Sequence, residues 1–364
     1  IIGSELITYS SKSGNTLSGL SRGASGTTAA IHSSGAQVID AATYAGFGAA
    51  PSGDIITAPG MWSLDNFGNK LIATIFSGET FTWSSDATDA TATRAVLASG
   101  TPTASRDMLV STPDRHLVFF GTETTIGTKS SQDQMFIRFS SQEDITSYTP
   151  TATNSAGTQR LADGSRIMGA LRGRNAIYVW TDTALFLMRF VGAPFTFAFE
   201  QVGTNCGLIG KNAAVEVDGT VYWMSENGFF RYGGQLESLP CLVEDFVFDD
   251  INLTPKQHIN AGLNNLFGEI NWFYVSSGAN TVNRVVTYNY FDSTPQRPIW
   301  TTGTLDRTAW SDSAIFGKPH ATQYDTSTNG SSTSTTYVEG NTDGVSIYYE
   351  HETGLNQVKE GTES

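Results

Sequence analysis

Cysteine and long apolar runs are both scarce in this sequence of 364 residues. Its two cysteines, Cys206 and Cys241, provide no disulfide framework and lie in no closely spaced pair that could bind a metal, so we expect two buried thiols. No run approaches the roughly 18 apolar residues that a membrane-spanning helix needs. No leader-like segment is visible either. We therefore expect a protein without membrane insertion.

Charged residues are also few, at 15%, and they are unbalanced. Lys and Arg number 21 against 35 Asp and Glu, which gives a formal charge of −14. A negative surface repels phosphates, and the chain has neither a Gly-Lys phosphate loop nor a basic tract with aromatic residues. Nucleic-acid binding through basic patches is disfavoured. The charge is typical of an ordinary acidic protein, or of a surface that must not hold DNA passing nearby.

Aromatic and small residues, by contrast, are abundant. The chain has 7 Trp, 13 Tyr and 21 Phe, and hydrophobic residues make up 39% of it, enough to bury a large core. It also has 37 Gly, together with many Ser and Thr. This balance predicts an all-β protein with many turns.

The stretch "TYNYFDSTPQRPIW" (287–300), an aromatic strand followed by a polar break, belongs to a repeated pattern. Six segments share an apolar strand, a turn and a second strand rich in aromatics: 70–83, 116–139, 175–190, 219–232, 269–290 and 335–350. Their last aromatic residues are Trp83, Phe139, Phe190, Tyr232, Tyr290 and Tyr349. These recur at intervals of roughly 40 to 60 residues, close to the period of propeller blades. The pattern predicts a β-propeller of about six blades, each an antiparallel meander.

Several of these strands are nearly continuously apolar, such as "IYVW" (177–180) and "NWFYV" (271–275). Such strands are covered on both faces, as in a blade that lies between two others. Their connections, including "SENG" and "NTDG", have the residues that tight turns require. A β-sandwich or barrel is the alternative, but its strands recur at shorter spacing.

Two regions depart from the meander pattern. Residues 242–265 have helix signals, with Thr254 as an N-cap and Pro255 in the first helical position, and predict a short helical insertion. Residues 1–50 predict a small separate β-module, and residues 51–364 the propeller. The chain begins without Met and stops without a closing structural signal, so we expect it to be part of a longer polypeptide.

Two short motifs could indicate chemistry, and neither has the context it needs. Gly19, Ser21 and Gly23 match the G-x-S-x-G nucleophile pattern with His32 as the nearby base, but no helix is predicted after the serine. Glu350, His351 and Glu352 resemble a metal cluster, yet in a strand the histidine points away from both glutamates. The remaining histidines, His116, His258 and His320, form no zinc-binding pair.

The segment "VEDFVFDD" concentrates four carboxylates, and a glycosidase needs a pair of them. They are Glu244, Asp245, Asp249 and Asp250. In so acidic a chain such clusters arise by chance, and the two aspartates are typical of a helix end. The sequence therefore predicts a non-enzymatic protein with no catalytic, cofactor-binding or metal-binding residues.

Residues from about 105 to 355 resemble the tail nozzle or tail hub proteins of short-tailed bacteriophages, which are also called tail stabilisation or tail tubular B-type proteins. The resemblance is carried by "HLVFFGTE" with "QMFIRFSSQEDITSYTP", by "NAIYVWTDTALFLMRFVGAPFTFAFEQVGTNCGLIG", by "LVEDFVFDDINLTPKQHINAG" and by "VVTYNYFDSTPQRPIWTTGTLDRTAW". Separately, "TLSGLSRGASGTTAAIHSSGAQV" is similar to a small β-module of phage tail and baseplate proteins.

The resemblance implies a structural virion protein of the tail. It implies a ring, most simply a homohexamer, around the DNA ejection channel below the portal and adaptor. The implied partners are the adaptor or head–tail connector ring and the tail fibres or tip proteins, with genomic DNA passing through without specific binding. An acidic channel would repel phosphates and let the duplex pass.

Two other functions stay open from the sequence. A glycan-binding or receptor-binding propeller of a tail fibre would expose aromatic platforms at equivalent positions, whereas the tryptophans at 83, 180, 223, 272, 300 and 310 do not all fall at one register. A propeller-type glycoside hydrolase would place two carboxylates about 5 to 9.5 Å apart in a central funnel.

Overall fold

The computed structural model describes residues 2, 5–14, 16–24, 27–36, 61–84, 95–112, 114–312, 319–325 and 334–339. Almost all regular structure in these residues is antiparallel β-sheet. After a short N-terminal hairpin, the strands form six successive sheets, which we call blades 1 to 6 in chain order.

Blades 1 to 5 are four-stranded meanders in which each strand pairs with the next along the chain. The strands of blades 1 and 2 are β3 (Trp62–Phe67), β4 (Lys70–Ile75), β5 (Thr80–Ser84), β6 (Val96–Leu97), β7 (Asp107–Val110), β8 (Leu117–Phe120), β9 (Phe136–Phe139) and β10 (Gly157–Arg160). Those of blade 3 are β11 (Ile167–Arg172), β12 (Ile177–Thr181), β13 (Ala184–Gly192) and β14 (Thr196–Thr204).

The later blades follow the same plan. Blades 4 and 5 comprise β15 (Ala214–Val217), β16 (Thr220–Ser225), β17 (Gly228–Tyr232), β18 (Leu236–Leu239), β19 (Asn260–Asn264), β20 (Glu269–Tyr274), β21 (Arg284–Thr294) and β22 (Arg297–Gly303). The described strands of blade 6 are β23 (Ala309–Ser311), β24 (His320–Asp325) and β25 (Ser334–Glu339).

The first strand of each blade lies beside the first strand of the next blade, from β3 through β7, β11, β15 and β19 to β23. At blades 4 and 5 these inner strands run parallel, with a bridge between Asn212 and Asn260. Meanders whose first strands gather around one axis form a β-propeller. The predicted all-β propeller with about six blades is confirmed.

The middle strands are buried on both faces, as their apolar sequences predict. Every residue of β8, β12 and β20 is buried. Side chains from neighbouring blades pack into shared cores, so the hydrophobic clusters cross blade boundaries. Burial of each large apolar side chain in these cores contributes about 1.5 to 3 kcal/mol to the free energy of unfolding.

Two glycines are required by close approaches of the chain, one between blades 5 and 6 and one at the exit from blade 3. A Cβ at Gly262 of β19 would lie 2.6 Å from Trp310 Cγ, so glycine lets the indole of blade 6 lie flat on blade 5. A Cβ at Gly207 would lie 2.1 Å from the Asp182 carbonyl oxygen. The Cys206-Gly207 exit from blade 3 can therefore pass close to the β12–β13 turn only with glycine.

The predicted helical insertion is present between blades 4 and 5, but its bounds were wrong. Helix α1 spans Glu244–Asp250, and a 3-10 turn spans Lys256–His258. Pro255 occupies the cap position of that turn rather than its first residue. Residues 260–264, predicted to be in the insertion, form β19 because this stretch, with one glycine and two asparagines, is a poor helix former and pairs with β20. Two further 3-10 turns, Lys129–Ser131 and Asn265–Phe267, lie in connections.

The sixth predicted hairpin was also misplaced. In blades 1 to 5 the predicted hairpins correspond to the second and third strands, whereas in blade 6 these are β24 and β25, which pair across residues 320–339. The prediction at 335–350 therefore began one strand late, and Tyr349 lies outside the described residues. Five earlier aromatics fall in the expected third strands of their blades.

Near the N-terminus, β1 (Ser11–Ser13) and β2 (Thr16–Ser18) form a hairpin, and Thr8 bridges to Ser21. This small β-structure is consistent with the predicted N-terminal module. The predicted boundary at residue 50 lies outside the described residues.

Candidate functional site

Two aspartates at the centre of the propeller connect consecutive blades. Each accepts a hydrogen bond from a backbone N–H on the first strand of the next blade. Asp65 Oδ2 of blade 1 accepts the Val110 N–H of blade 2 at 2.8 Å. Asp107 Oδ2 of blade 2 accepts the Ala170 N–H of blade 3 at 2.9 Å. Each carboxylate thus supplies the acceptor for one backbone N–H group of the next blade.

Two cations complete these links. Arg172, at the end of β11, donates from Nη1 to Asp65 Oδ2 and to the Val110 carbonyl, both at 2.8 Å. Lys211, just before β15, places Nζ 3.1 Å from Asp107 Oδ1. We call Asp65, Asp107, Arg172 and Lys211 the axial network.

Lys211 also reaches across the axis to blade 1. Its Nζ donates to the Trp62 carbonyl at 3.2 Å and to Ser63 Oγ, and Ser63 Oγ in turn donates to Asp107 Oδ1 at 2.8 Å. The Lys211 and Asp107 side chains are 8% and 6% exposed. A buried pair of this kind needs such additional hydrogen bonds to offset its desolvation. The network therefore joins blades 1 to 4 around the axis.

An open depression lies over the network and is lined by residues of blades 1 to 4, including Trp62, Leu64 and Asn212. The carboxylates below it are occupied: Asp107 also accepts the Met108 N–H, and Asp65 accepts the Asn66 N–H, both at 2.8 Å. A catalytic acid or base needs an oxygen directed at substrate. This arrangement is better suited to holding the blades together than to proton transfer.

Sequence reasoning missed the axial network. A signal was present, because Asp107 opens the strand "DMLV", whose four residues are all buried. A charged residue in a fully buried strand requires a partner. That partner, Lys211, cannot be read from the local pattern, because it comes from two blades further along the chain.

The tryptophans of blades 3 to 5 are internal rather than surface platforms. Trp180, Trp223 and Trp272 occupy the fourth position of β12, the fourth of β16 and the fourth of β20, and all three are fully buried. Trp180 and Trp223 pack edge to face across blades 3 and 4, with ring centroids 5.5 Å apart. These three indoles share one register, but they face the core.

Four indole N–H groups connect blades 4, 5 and 6 to the blade before each of them. Trp223 donates to the Cys206 carbonyl at 2.8 Å and Trp272 to the Ala213 carbonyl at 3.0 Å. Trp300 donates to the Pro240 carbonyl and Trp310 to the Leu263 carbonyl, at 2.9 and 2.8 Å. A buried indole N–H needs such an acceptor. These groups are structural links between blades.

The serine motif near the N-terminus surrounds a buried carboxylate instead of forming a nucleophile elbow. Glu5 accepts two bonds from the Arg22 guanidinium, both at 2.6 Å, and one contact of 2.7 Å from His32 Nε2. The Gly23 and Ala30 amides donate to it at 2.9 and 3.0 Å. Arg22, Gly23, Ala30 and His32 thus converge on Glu5, which the sequence pattern did not indicate, while Ser21 lies in a backbone bridge.

The Arg22 guanidinium, followed by the Ala30 amide, His32 and the Gly23 amide, holds the pKa of Glu5 well below its ordinary value of 4.5, although burial acts in the opposite direction. Because the folded-state pKa is depressed, the stabilisation by Glu5 is present above pH 4.5 and declines as the pH falls below it. The Gly23 and Ala30 amides donate directly to Glu5, so their resonances in NMR spectra report on its carboxylate. In Glu5→Gln both should shift at every pH, whereas Glu79→Gln should leave them unchanged. Identical spectra for Glu5→Gln and the unmodified chain would contradict this role.

The four carboxylates predicted as a possible pair, those of Glu244, Asp245, Asp249 and Asp250, all lie in α1. Glu244 and Asp245 lie in the first turn of α1, where carboxylates are favoured, and Asp250 ends the helix as predicted, 3.4 Å from Arg284 Nε. Glu350, His351 and Glu352 lie outside the described residues. Among the residues that the structure describes, no group of His, Cys, Asp or Glu could hold a metal ion, and no helix is long and apolar enough to cross a membrane.

The two cysteines are free, with Cys206 buried and Cys241 half-buried. Burial raises the pKa of Cys206 to about 11 and that of Cys241 to about 12. Since the thiolate is the reactive form, we expect both to react with a disulfide reagent at pH 8 far more slowly than in the unfolded chain. Native and denaturant-unfolded protein should be compared, and rapid native labelling of either thiol would contradict the burial seen here.

Comparison with known proteins gives similarity of fold only. No protein-family model matches this sequence, and no curated protein matches it either. Among solved structures, the chain is similar to the computationally designed Ika8 protein (9% identity, 63% of this chain, TM-score 0.37) and to dihydro-heme d1 dehydrogenase NirN (10%, 72%, 0.44). It is also similar to BamB from Moraxella catarrhalis, at 12% identity over 72% of this chain and 79% of BamB, with a TM-score of 0.37. The chain spans 58% of Ika8 and 52% of NirN.

Proposed function

We propose that this chain is a structural subunit of the tail nozzle of a short-tailed phage. The simplest such nozzle is a ring of six copies around the DNA ejection channel. The axial network carries the proposal. The charged groups nearest the axis, Asp65, Asp107, Arg172 and Lys211, bond to neighbouring blades rather than to an open site. This favours a rigid scaffold over an enzyme, and the sequence resemblance indicates which scaffold.

In such a ring the genome passes through the central channel that the subunits enclose, and not along the axis of any one propeller. The axial network supports this distinction, because Lys211 already spans blades 4, 1 and 2 at the centre of the molecule. The charge of −14 suits a wall that DNA passes without adhering, since carboxylates repel phosphates. The adaptor ring above and the fibres or tip proteins below are the expected partners.

The N-terminal signature adds independent support. Arg22, Gly23 and His32 belong to the stretch that is similar to a module of phage tail and baseplate proteins, and all three bind Glu5. The signature therefore has a physical role in holding this segment together. A virion component with two such phage-like regions is the simplest account of the chain.

The proposal is tested by the mass and shape of the purified full-length protein. Light scattering should give about six times the 39.1 kDa of this chain, scaled to the full-length polypeptide, and negative-stain images should show rings with a central hole. Antibody labelling should place the protein in the tail of the virion. Duplex DNA should not be retained by the ring in a low-salt gel-shift experiment. A protein that stays monomeric at micromolar concentration, or a trimer on a fibre, would overturn the proposal.

A further inference from the structure

Arg106 and Arg166 occupy equivalent places in neighbouring blades. Arg106 immediately precedes β7, the first strand of blade 2, and Arg166 immediately precedes β11, the first strand of blade 3. The first strands of a propeller run in the same direction around its axis, so the two residues lie at the same end of the molecule. Arg106 Nε donates at 2.6 Å to the carbonyl of Ile167, the residue after Arg166. The two arginines are therefore neighbours across the boundary between blades 2 and 3.

Other cations at this end of the propeller have carboxylate partners. Lys211 Nζ lies 3.1 Å from Asp107 Oδ1. Arg307, shortly before β23, places Nη1 3.2 Å from Asp306 Oδ1. Within the described part of the chain, neither of the two neighbouring arginines forms an ion pair, although acidic residues outnumber Lys and Arg by 35 to 21 in the whole sequence. Two guanidinium charges are thus left together without a counter-charge from these residues.

The half-buried Arg106 guanidinium has a fixed position and spare donors. Its Cζ lies 4.9 Å from the centre of the Phe76 ring, and Nη1 donates to Gln134 Oε1 at 2.8 Å. Gly121 leaves room for the stem, because a Cβ there would lie 2.7 Å from Arg106 Cδ. A guanidinium has five N–H donors, and the protein groups described above use two of them. Three N–H groups of Arg106 can still donate.

Arg166 has more donor capacity to spare. Its guanidinium is hydrogen-bonded to no residue that the structure describes, and its Nε is buried. Asp182 is the acidic residue of the next turn, but Ser165 already donates to its carboxylate, from the amide at 2.8 Å and from the hydroxyl. Burial, followed by the charge of Arg166, lowers the pKa of Arg106 to about 10. An anion beside both guanidiniums would offset this repulsion.

We propose that Arg106 and Arg166 together bind a tetrahedral oxyanion, either free phosphate or the phosphate group of a small molecule. A phosphate group carries about −1.5 to −2 charges at pH 7 and has at least three acceptor oxygens, which matches two guanidinium forks from different blades. A carboxylate has two oxygens, and one fork alone would satisfy it. The site goes beyond the proposed function and does not depend on it.

The site is compatible with a wall that does not retain DNA. Both arginine side chains are half-buried at a blade boundary, so they are accessible to a compact anion rather than to the backbone of a duplex. Binding would also link blade 2 to blade 3, because one anion would contact a residue from each. We therefore expect phosphate to stabilise the fold as well as to bind it.

Titration calorimetry with inorganic phosphate, against sodium chloride at equal ionic strength, tests the site. The unmodified chain should bind one phosphate, and Arg166→Gln should weaken binding at least about tenfold, since it removes a charge-assisted contact. Arg166→Lys, which keeps the charge but loses the fork, should have intermediate affinity. Arg174→Gln is the matched control, because this exposed arginine lies in the connection after β11, at the opposite end of that strand. Its phosphate affinity should equal that of the unmodified chain.

Folding of the variants is checked by circular dichroism and thermal midpoints. Arg166→Gln should keep the unmodified midpoint in chloride, because no described residue is hydrogen-bonded to the guanidinium that it removes. Phosphate should raise the midpoint of the unmodified chain and of Arg174→Gln, but not that of Arg166→Gln. Equal phosphate binding by Arg166→Gln and the unmodified chain, or no binding by the unmodified chain, would overturn the site.

Three further probes define the anion. Phenyl phosphate that binds more tightly than inorganic phosphate would assign the site to a phosphate ester, and weaker binding would assign it to free phosphate. Acetate that binds as tightly as phosphate would overturn the choice of a tetrahedral anion. Tungstate soaked into crystals should give an anomalous peak beside both guanidiniums. Such a peak without phosphate binding in solution would mean an adventitious ion only, and would overturn the proposal.

Discussion

Replacing Trp272 with alanine should lower the free energy of unfolding by about 3 to 5 kcal/mol, the range for a large aromatic removed from a packed core. Trp272 is fully buried at the centre of the cluster that joins blades 3 to 5, and its ring centroid lies 4.9 Å from that of Phe229. The substitution would also leave the Ala213 carbonyl without its indole donor. Urea unfolding, followed by circular dichroism, measures the loss.

Two further variants separate the contributions at this position. Trp272→Phe keeps an aromatic ring but removes the N–H donor, so it should lose less than the alanine variant. Leu266→Ala, on a residue that is 74% exposed, should change the free energy of unfolding by no more than about 0.5 kcal/mol. A loss below about 1 kcal/mol for Trp272→Ala would mean that the blade 4–blade 5 core does not limit stability.

The second large effect is expected at the axial network. Asp107→Ala should cost about 3 to 5 kcal/mol, because removing one partner of a buried pair leaves the other uncompensated. It would remove the acceptor of Lys211, Ser63 and the Ala170 amide together. Lys211→Met should cost less, since Asp107 would keep its bonds to backbone amides.

A double-mutant cycle on Asp107 and Lys211 isolates their interaction. The coupling should exceed that of the exposed pair Arg231–Glu237, whose side chains are 34% and 50% exposed and whose interaction is worth at most about 1 kcal/mol. Equal coupling in the two cycles would show that the axial pair is screened like a surface pair. That result would also contradict our view that the Asp107–Lys211 pair is buried at the centre of the propeller.

The fold could be predicted from the sequence because each blade is a local meander. Strand residues such as 177–180 and 272–274 form runs of large apolar residues, which indicate a sheet between two others before any contact is known. The same local information failed at residues 260–264, where a stretch assigned to the helical insertion pairs with β20 instead. It failed again at blade 6, where the pattern alone did not identify which pair of strands formed the hairpin.

The candidate site could not be predicted in the same way. Its bonds join residues far apart in sequence: Ser63 and Asp107 are 44 residues apart, and Lys211 and Trp62 are 149 apart. No local period indicates such pairs, and the shared register of Trp180, Trp223 and Trp272 became visible only once strand ends were known. Arg22, Gly23 and His32 of the Glu5 cluster did stand out in the sequence, but only as part of a similarity to other proteins. Nothing in the sequence explained their spacing in physical terms.

The reach of Lys211 across the axis has a consequence for biosynthesis. Blades 1 to 3 are contiguous segments, so each can form its meander soon after it leaves the ribosome. Asp107 of blade 2, however, gains its lysine only when residue 211 has emerged and its loop has closed on Trp62, 149 residues earlier. Until then Asp107 lacks its cation, and the nascent half-propeller stays open on the side where blade 4 will dock.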